Sequence, residues 1–523
     1  MGEKTGIHGW RSWAAVAGAV SGAVFVAVAE LTAFVAARDA SPLLAAGSFV
    51  IDIVPQWAKE LAIELFGAND KLFLLVTLGI GVLLAAAAAG LLERRYRWAG
   101  VAVFAVAGAA GVLAALTRAG ATPLSALPSL IGAIAGCVFL RMSIAALRRW
   151  RARGASEAPG DRGSGPDRRR FLLLTALGGI SAIVVGTGAR IGTMATTSVA
   201  SVRKALHLPE PLTRITVPAG AELDIPGLSP LFTPNADFYR VDTALTVPSL
   251  APADWRLTLD GMVGKRVELS FDELLRMGLR EYAVTLTCVS NQVGGDLVGN
   301  ARWLGVPVRE VLALAAPAQG ADMVLSRSID GFTASTPLGS LTDPDLDAIL
   351  AVAMNGEPLP PEHGFPVRMV VPGLYGYVSA TKWLTRMTVT TFAKDQGYWT
   401  PRGYSARAPI KLSSRIDTPR IDKEIAPGTA RIAGVAWAQT VGIERVEVQI
   451  DGGSWQTATL SAPVSDDTWV QWFLDWNATS GSHTLVVRAT DRHGRMQEQA
   501  RTPIAPNGST GWQSTVVRVG SPG

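Results

Sequence analysis

Five long apolar runs, at about 12–36, 71–92, 98–117, 126–147 and 171–190, commit the first 192 residues of this chain to helix. Each can cross a hydrocarbon core of roughly 30 Å, and a lone segment in lipid satisfies its own peptide groups only as a helix. Arginines mark the borders of the runs. Arg94, Arg95 and Arg97 follow the second, Arg148, Arg149, Arg151 and Arg153 follow the fourth, and Arg168, Arg169 and Arg170 precede the fifth. Basic loops stay on the cytoplasmic side, so the pattern predicts a multi-pass protein of the cell membrane with its N-terminus in the cytoplasm. Everything after Arg190 is then extracytoplasmic. The same placement accounts for the net charge of +5 without invoking nucleic acid. Gly18 with Gly22 and Gly132 with Gly136 have the spacing of small residues that lets helices approach closely in lipid. Glu30 falls near the outer end of the first run, where hydration is the expected fate of its charge. The stretch 52–70, with Trp57, Lys59, Glu60 and Glu64 among Ile and Leu, reads as an amphipathic helix on the outer face.

Beyond these helices the composition becomes that of a globular protein, and the chain is multi-domain. Residues 1–150 form a four-helix membrane domain, and 151–192 a Gly, Pro and charge-rich linker leading into the fifth helix. That linker ends in Arg168-Arg169-Arg170-Phe171-Leu172 directly before an apolar segment holding Gly178 and Gly179, which fits a twin-arginine export signal. Residues 200–400 read as α+β. Strands are expected at 255–260, 367–371 and 387–391, a strand turning into a helix over 267–277 with Ser270 and Glu273 as a capping box, and a helix at 306–315. Residues 410–523 are all-β, with runs at 430–437, 444–450, 468–476, 483–490 and 514–519 spaced like the strands of an antiparallel sandwich. Trp437, Trp455, Trp469, Trp472 and Trp476 are read as its core or interface residues.

The chain has two cysteines, and Cys137 lies inside an apolar run. Cys288 therefore has no disulfide partner in the globular part and must be a buried hydrophobe, a reactive thiol or a ligand. Its surroundings favour the last. Cys288-Val289-Ser290-Asn291, followed by Gly294-Gly295 and Asn300-Ala301-Arg302-Trp303-Leu304-Gly305, resembles the molybdenum-ligating segment of the sulfite oxidase family. Met354-Asn355-Gly356-Glu357-Pro358, His363-Gly364-Phe365-Pro366-Val367-Arg368, Val371-Pro372-Gly373 and Lys382-Trp383-Leu384 follow in that family's order and spacing. The resemblance covers roughly 205–520. It implies a molybdopterin-binding catalytic domain at 200–400 and an immunoglobulin-like sandwich of the dimerisation type at 410–523.

By that resemblance Cys288 is the protein ligand to molybdenum, a soft thiolate sharing the metal with the pterin dithiolene. Arg368 and Lys382 hold the phosphate end of the cofactor, His363 and Asp330 its ring, and Tyr239, Arg240, Ala380 and Thr381 complete the contacts. Arg302 and Arg240 remain as anion contacts for catalysis. Two departures bear on the substrate: Phe332 stands where sulfite-oxidising members have a tyrosine, and Gln292 with Val293 where they have arginines. The five histidines, His8, His207, His363, His483 and His493, all lie outside the apolar runs, so no bis-histidine haem is expected in this chain. A separate cytochrome or quinone-linked electron partner is then required. The resemblance implies oxygen-atom transfer to or from a small oxyanion or sulfoxide, with sulfite oxidation first and a reductase similar to the periplasmic methionine sulfoxide reductase catalytic subunit second. A membrane-anchored β-rich binding module is the non-enzymatic alternative.

Overall fold

A computed structural model describes the chain apart from residues 1–3, 37–40, 56–57, 59–64, 66–69, 118–120, 155–165, 197–198 and 522–523. It forms two units, Met1–Ser198 with Ala244–Thr246, and Val199–Thr243 with Val247–Gly523.

In the first unit α1 (Lys4–Ala36) packs against α3 (Asp70–Arg95), α5 (Leu127–Gly154) and α6 (Pro166–Thr196), while α2 (Pro42–Ile53) and α4 (Ala99–Leu116) pack on one another. Glycine makes the crossings close. A Cβ on Gly18 would stand 2.1 Å from the Ala86 carbonyl oxygen, and one on Gly132 would stand 2.7 Å from that of Phe25. The small-residue spacing in the sequence thus marks real helix contacts. Val76, Ile80, Leu84, Val106, Ile134 and Val138 remain exposed, as a surface facing hydrocarbon requires. Four helices, Trp10–Ala36, Phe73–Arg95, Ala99–Leu116 and Pro123–Ala152, are long and apolar enough to cross a membrane among the described residues. The fifth expected run lies in α6, whose side chains beyond Ala182 are outside the described residues.

Two details differ from expectation. Glu30 is not left to water: its Oε1 accepts from Ser41 Oγ at 2.8 Å and Leu43 N at 3.3 Å, capping α2. The short helix α2 itself was not foreseen, because its apolar run is too short to signal a span. The amphipathic helix expected at 52–70 falls mostly on residues outside those described.

In the second unit, two five-stranded sheets share a core. One has the order β2 (Val267–Ser270), β1 (Arg256–Gly261), β10 (Leu384–Thr390), β5 (Met323–Ser328), β6 (Thr333–Pro337), with β1 and β10 parallel. The other runs β3 (Arg280–Thr287), β4 (Val298–Pro307), β7 (Ile349–Met354), β8 (Glu357–Pro358), with β9 (Arg368–Val370) also on β7. Strand β7, Ile-Leu-Ala-Val-Ala-Met, is buried throughout because alternate residues serve different cores. Leu350 and Val352 join Trp255, Leu257 and Met387, whereas Ile349 and Ala351 join Trp303, Phe365 and Phe238. The expected capping box is present, with Ser270 Oγ accepting from Glu273 N and the Glu273 carboxylate returning to Ser270 N.

The remaining strands make two four-stranded sheets, β11 (Ser413–Thr418), β12 (Gly428–Trp437), β16 (Val470–Ala478), β15 (Thr459–Leu460), and β14 (Trp455–Thr457), β13 (Ile443–Ile450), β17 (Gly481–Asp491), β18 (Gln513–Val519). Both face a core containing Ile432, Val446, Val448, Trp472, Leu485 and Val487. Trp437 and Trp469 turn the other way, into a cluster with Leu231 and Val298 that joins these sheets to the end of β4. Trp455 is half-buried, in edge contact with Trp512 at 5.1 Å.

Candidate functional site

Cys288 follows β3 directly, at the point where the chain leaves the sheet before returning as β4. The loop is tightly tied. Cys288 N donates to Leu297 O (2.9 Å), Asn291 N to Cys288 O (3.0 Å), and Leu297 N to Asn291 Oδ1 (3.0 Å). Gly294, at φ 82°, closes the turn where a side chain would be strained. The C-terminal sheets brace the loop from outside, through Ser509 Oγ to Asn291 O (2.7 Å) and Arg415 Nη1 to Gly295 O (2.8 Å). Sγ of Cys288 accepts a 3.4 Å contact from Ser290 N. Burial pushes the thiol pKa up, while that N–H and the charge of Lys382 pull it down.

Against this loop the chain gathers cations and aromatic rings. The segment around His363 leads into β9 and Arg368, and Lys382 precedes β10. Gly364, at φ 109°, lets them meet, since a Cβ there would stand 3.0 Å from Arg368 Cβ and 3.1 Å from Lys382 Cα. Arg368 is buried, with Nη1 donating to His363 O (3.2 Å) and its guanidinium 5.0 Å from the Trp303 ring. Burial lowers its pKa to about 10. Lys382 Nζ donates to Asp242 Oδ2 (2.6 Å) and Glu362 O (3.1 Å); burial lowers its pKa to about 8, and Asp242 opposes the fall. His363 is brought down to about 4, first by burial and then by Arg368 and Lys382, so it is neutral at pH 7. Its Nε2 lies 3.2 Å from Asn235 O. Tyr239, stacked on Phe238 at 5.3 Å, is raised by burial and by the Cys288 charge, with Arg368 acting against both.

Thus Cys288, Tyr239, His363, Arg368 and Lys382 converge, with Arg240 at the rim. Arg240 Nε donates to Asp242 Oδ2 at 2.9 Å and its charge reaches His363 and Lys382. Ala380 ends the short helix α11 (Gly376–Ser379; α7 to α10 are Val199–Ala205, Phe271–Arg276, Val308–Ala313 and Leu338–Thr342), which lies over Thr287 O. Thr381 is buried, with its hydroxyl paired with Ser326 Oγ at 2.7 Å and its carbonyl oxygen accepting from Met369 N at 2.9 Å.

Two further expected residues are exposed, and Ile329 N, beside Asp330, donates to Trp383 O next to Lys382 at 3.0 Å. Asp330 is exposed in the β5–β6 turn, and its carboxylate accepts from Phe332 N of that same turn. Arg302 is exposed on β4 over the Phe232 ring at 5.1 Å. In the β3–β4 register Thr287 faces Val298 and Ala283 faces Arg302, so four residues of strand separate Arg302 from the Cys288 end, roughly 13 Å.

Sequence reasoning missed Asp242, which bridges Lys382 and Arg240, and Tyr375, raised to about 12 by burial and influenced by Cys288. An acid two residues after Arg240 carries no signal of a lysine 140 positions away.

Two buried polar atoms here have no partner, Nε of Arg368 and Oγ1 of Thr287. Buried donors are almost always paired, so Arg368 is a donor kept for something outside the chain. A soft sulfur, two buried cations, a neutral imidazole and this free donor suit an anionic, sulfur-bearing heterocycle. Among the described residues no group of His, Cys, Asp and Glu could by itself hold a metal ion. The donor set therefore fits a metal that arrives with most of its own ligands.

Residues 244–399 match the model of the oxidoreductase molybdopterin binding domain. Sulfite oxidase of Gallus gallus is 30% identical over 320 residues, covering 52% of this chain and 69% of that protein. The mitochondrial sulfite oxidase of Homo sapiens is 31% identical over 320 residues, covering 52% of this chain and 58% of that one. A nitrate reductase [NADH] of Phaseolus vulgaris is 29% identical over 310 residues, 34% of its length. In fold, the chain is similar to the sulfane dehydrogenase SoxCD from Paracoccus pantotrophus, with a TM-score of 0.50 at 23% identity over 60% of this chain and 90% of that chain.

Proposed function

Because the chain belongs to the sulfite oxidase family of molybdopterin-dependent oxidoreductases, and is therefore an enzyme rather than a binding module, we propose that it carries out oxygen-atom transfer on a small sulfur oxyanion or sulfoxide at Cys288. The observation that carries the reading is the buried, unpartnered Arg368 Nε beside Cys288, His363 and Lys382. Bound there, molybdenum with its pterin would supply a two-electron centre that accepts or donates an oxygen atom. Cys288 would hold the metal as thiolate, and the charge of Lys382 already favours that form. Arg368 and Lys382 would take the cofactor phosphate, with His363, Tyr239, Ala380 and Thr381 around the ring. Arg240, the most exposed of these cations, would meet an incoming anion at the rim.

Sulfite oxidation is the first substrate reading. A sulfoxide is the second, and a specific observation favours it: Asp242 already neutralises part of the charge on Lys382 and Arg240, while Phe332, Gln292 and Val293 add none. Less positive charge at the rim weakens a dianion more than a neutral S-oxide.

The helices would anchor the enzyme in the cell membrane with the catalytic unit outside, where a cytochrome or quinone-linked partner exchanges electrons with it. Arg168-Arg169-Arg170-Phe171-Leu172 would direct export. The paired C-terminal sheets would be the immunoglobulin-like domain and the site of a homodimer.

Metal analysis and pterin fluorescence of protein from a cofactor-competent host test the first step, and absence of both molybdenum and pterin would refute it. Oxidation of sulfite by ferricyanide, set against reduction of methionine sulfoxide by reduced viologen, then decides the direction. Replacing Arg168 and Arg169 by Lys should retain the catalytic unit inside the cell, and unimpaired export would make those arginines topological only.

A further inference from the structure

We propose that the arginine-crowned end of the helical unit is a binding site for the headgroup of an anionic phospholipid. Arg11 of α1, Arg95 at the end of α3 and Arg151 at the end of α5 all lie within reach of the charge of Arg94. Among the described residues none of the four has an ion-pair partner, and Nε of Arg94 is buried without a hydrogen-bond acceptor. Four like charges brought together by three helices repel, and a buried donor without a partner adds a desolvation cost. Both penalties are relieved by one bound anion.

Glu93, the acid next to Arg94 in the chain, cannot be that anion. Glu93 is completely buried and its carboxylate is shared between Arg141 Nη1 (2.9 Å) and the N–H groups of Gly100 (3.1 Å), Trp98 (3.3 Å) and Val101 (3.4 Å). Even its backbone oxygen is taken, by Arg148 Nη2 at 2.6 Å.

The neighbourhood identifies the anion's carrier. Immediately before Arg94 on α3, Leu91 and Leu92 are exposed, continuing the apolar surface of Leu83 and Leu84. Beside the crown, Trp10 and Trp150 meet edge-on at 4.7 Å, with Trp13 6.2 Å from Trp150, the amphipathic ring type that settles at headgroup depth. A ligand with a negative head at the arginines and hydrocarbon along the leucines satisfies both surfaces, and an anionic phospholipid is such a ligand.

The test uses the full-length holoenzyme in neutral detergent, with phosphatidylglycerol and phosphatidylcholine as probes in native mass spectrometry and thermal melts. Phosphatidylglycerol should be retained in preference and raise the melting temperature, whereas phosphatidylcholine of the same chain length should not. R94Q/R151Q should weaken phosphatidylglycerol retention by about tenfold or more, with molybdenum content unchanged. R94K/R151K, which keeps the charge, should retain it and serves as the control for folding. Equal retention of the two lipids, undiminished retention in R94Q/R151Q, or the same stabilisation from inorganic phosphate alone would each overturn the proposal.

Discussion

Glu93 in the helical unit and Arg368 in the catalytic unit are both buried charges, and they are treated in opposite ways. Glu93 spends its oxygens on Arg141 and three backbone donors, and the bend it secures holds Trp98 at φ 76° between α3 and α4. Arg368 leaves Nε without an acceptor, and the charged neighbour its own charge acts on is Lys382 rather than a carboxylate. A charge whose partners are all internal serves the fold. One buried with a donor to spare costs stability until a ligand arrives, which is the mark of a binding site.

The comparison can be broken by exchange. Cys288→Ser should bring turnover to background while melting within about 1 kcal/mol of the parent, since one buried atom changes with little change of volume; retained turnover would remove the cysteine from the centre. Glu93→Ala should cost about 3 kcal/mol in thermal or denaturant unfolding of the helical unit, because Arg141 and three N–H groups lose their acceptor, and leave molybdenum content unaltered. Arg368→Met should do the reverse. Cofactor-free protein should lose at most about 1 kcal/mol, while cofactor affinity falls about tenfold, ~1.4 kcal/mol, read from molybdenum retained after dialysis. If the two substitutions act alike, the distinction between them fails.

Proton linkage sharpens it further. His363 has a folded pKa of about 4, below its unfolded value, so the unfolded chain binds more protons between about pH 4 and 6.5 and stability should rise with pH across that window. His363→Gln should flatten this part of the pH–stability curve. Lys382, at about 8, behaves likewise at alkaline pH: cofactor-free stability should rise from about pH 8 to 10.4, while affinity for the cofactor phosphate falls as the ammonium is lost. The smallest effect is expected at Asp330, where Ala should change stability by about 0.5 kcal/mol or less and leave molybdenum content as it is.

Much of this was legible in the chain before any coordinates. Apolar runs bounded by arginine announce helices because lipid leaves the backbone no alternative, and the short β-rich runs at 430–437, 444–450 and 483–490 lie within β12, β13 and β17. Strands β3 and β4, which flank the Cys288 loop, give no strand signal in the sequence. Buried on both faces, they lack the alternation that betrays a half-exposed strand. Arg302 is legible as a residue but not as a position, since only the β3–β4 register shows four residues of strand between it and the Cys288 end.

By itself the sequence determined the kinds of elements, the division between a lipid-compatible and a water-compatible half, and the blocks around Cys288, His363, Arg368 and Lys382. Those are matters of local composition, spacing and order. Tertiary structure alone decided which charges are answered and by what. Asp242 reaches Lys382 across 140 residues, Arg141 reaches Glu93 across 48, and Arg368 Nε is left for a ligand. Pairing of buried charge depends on distances between segments that meet only when the cores close, and no local pattern encodes them.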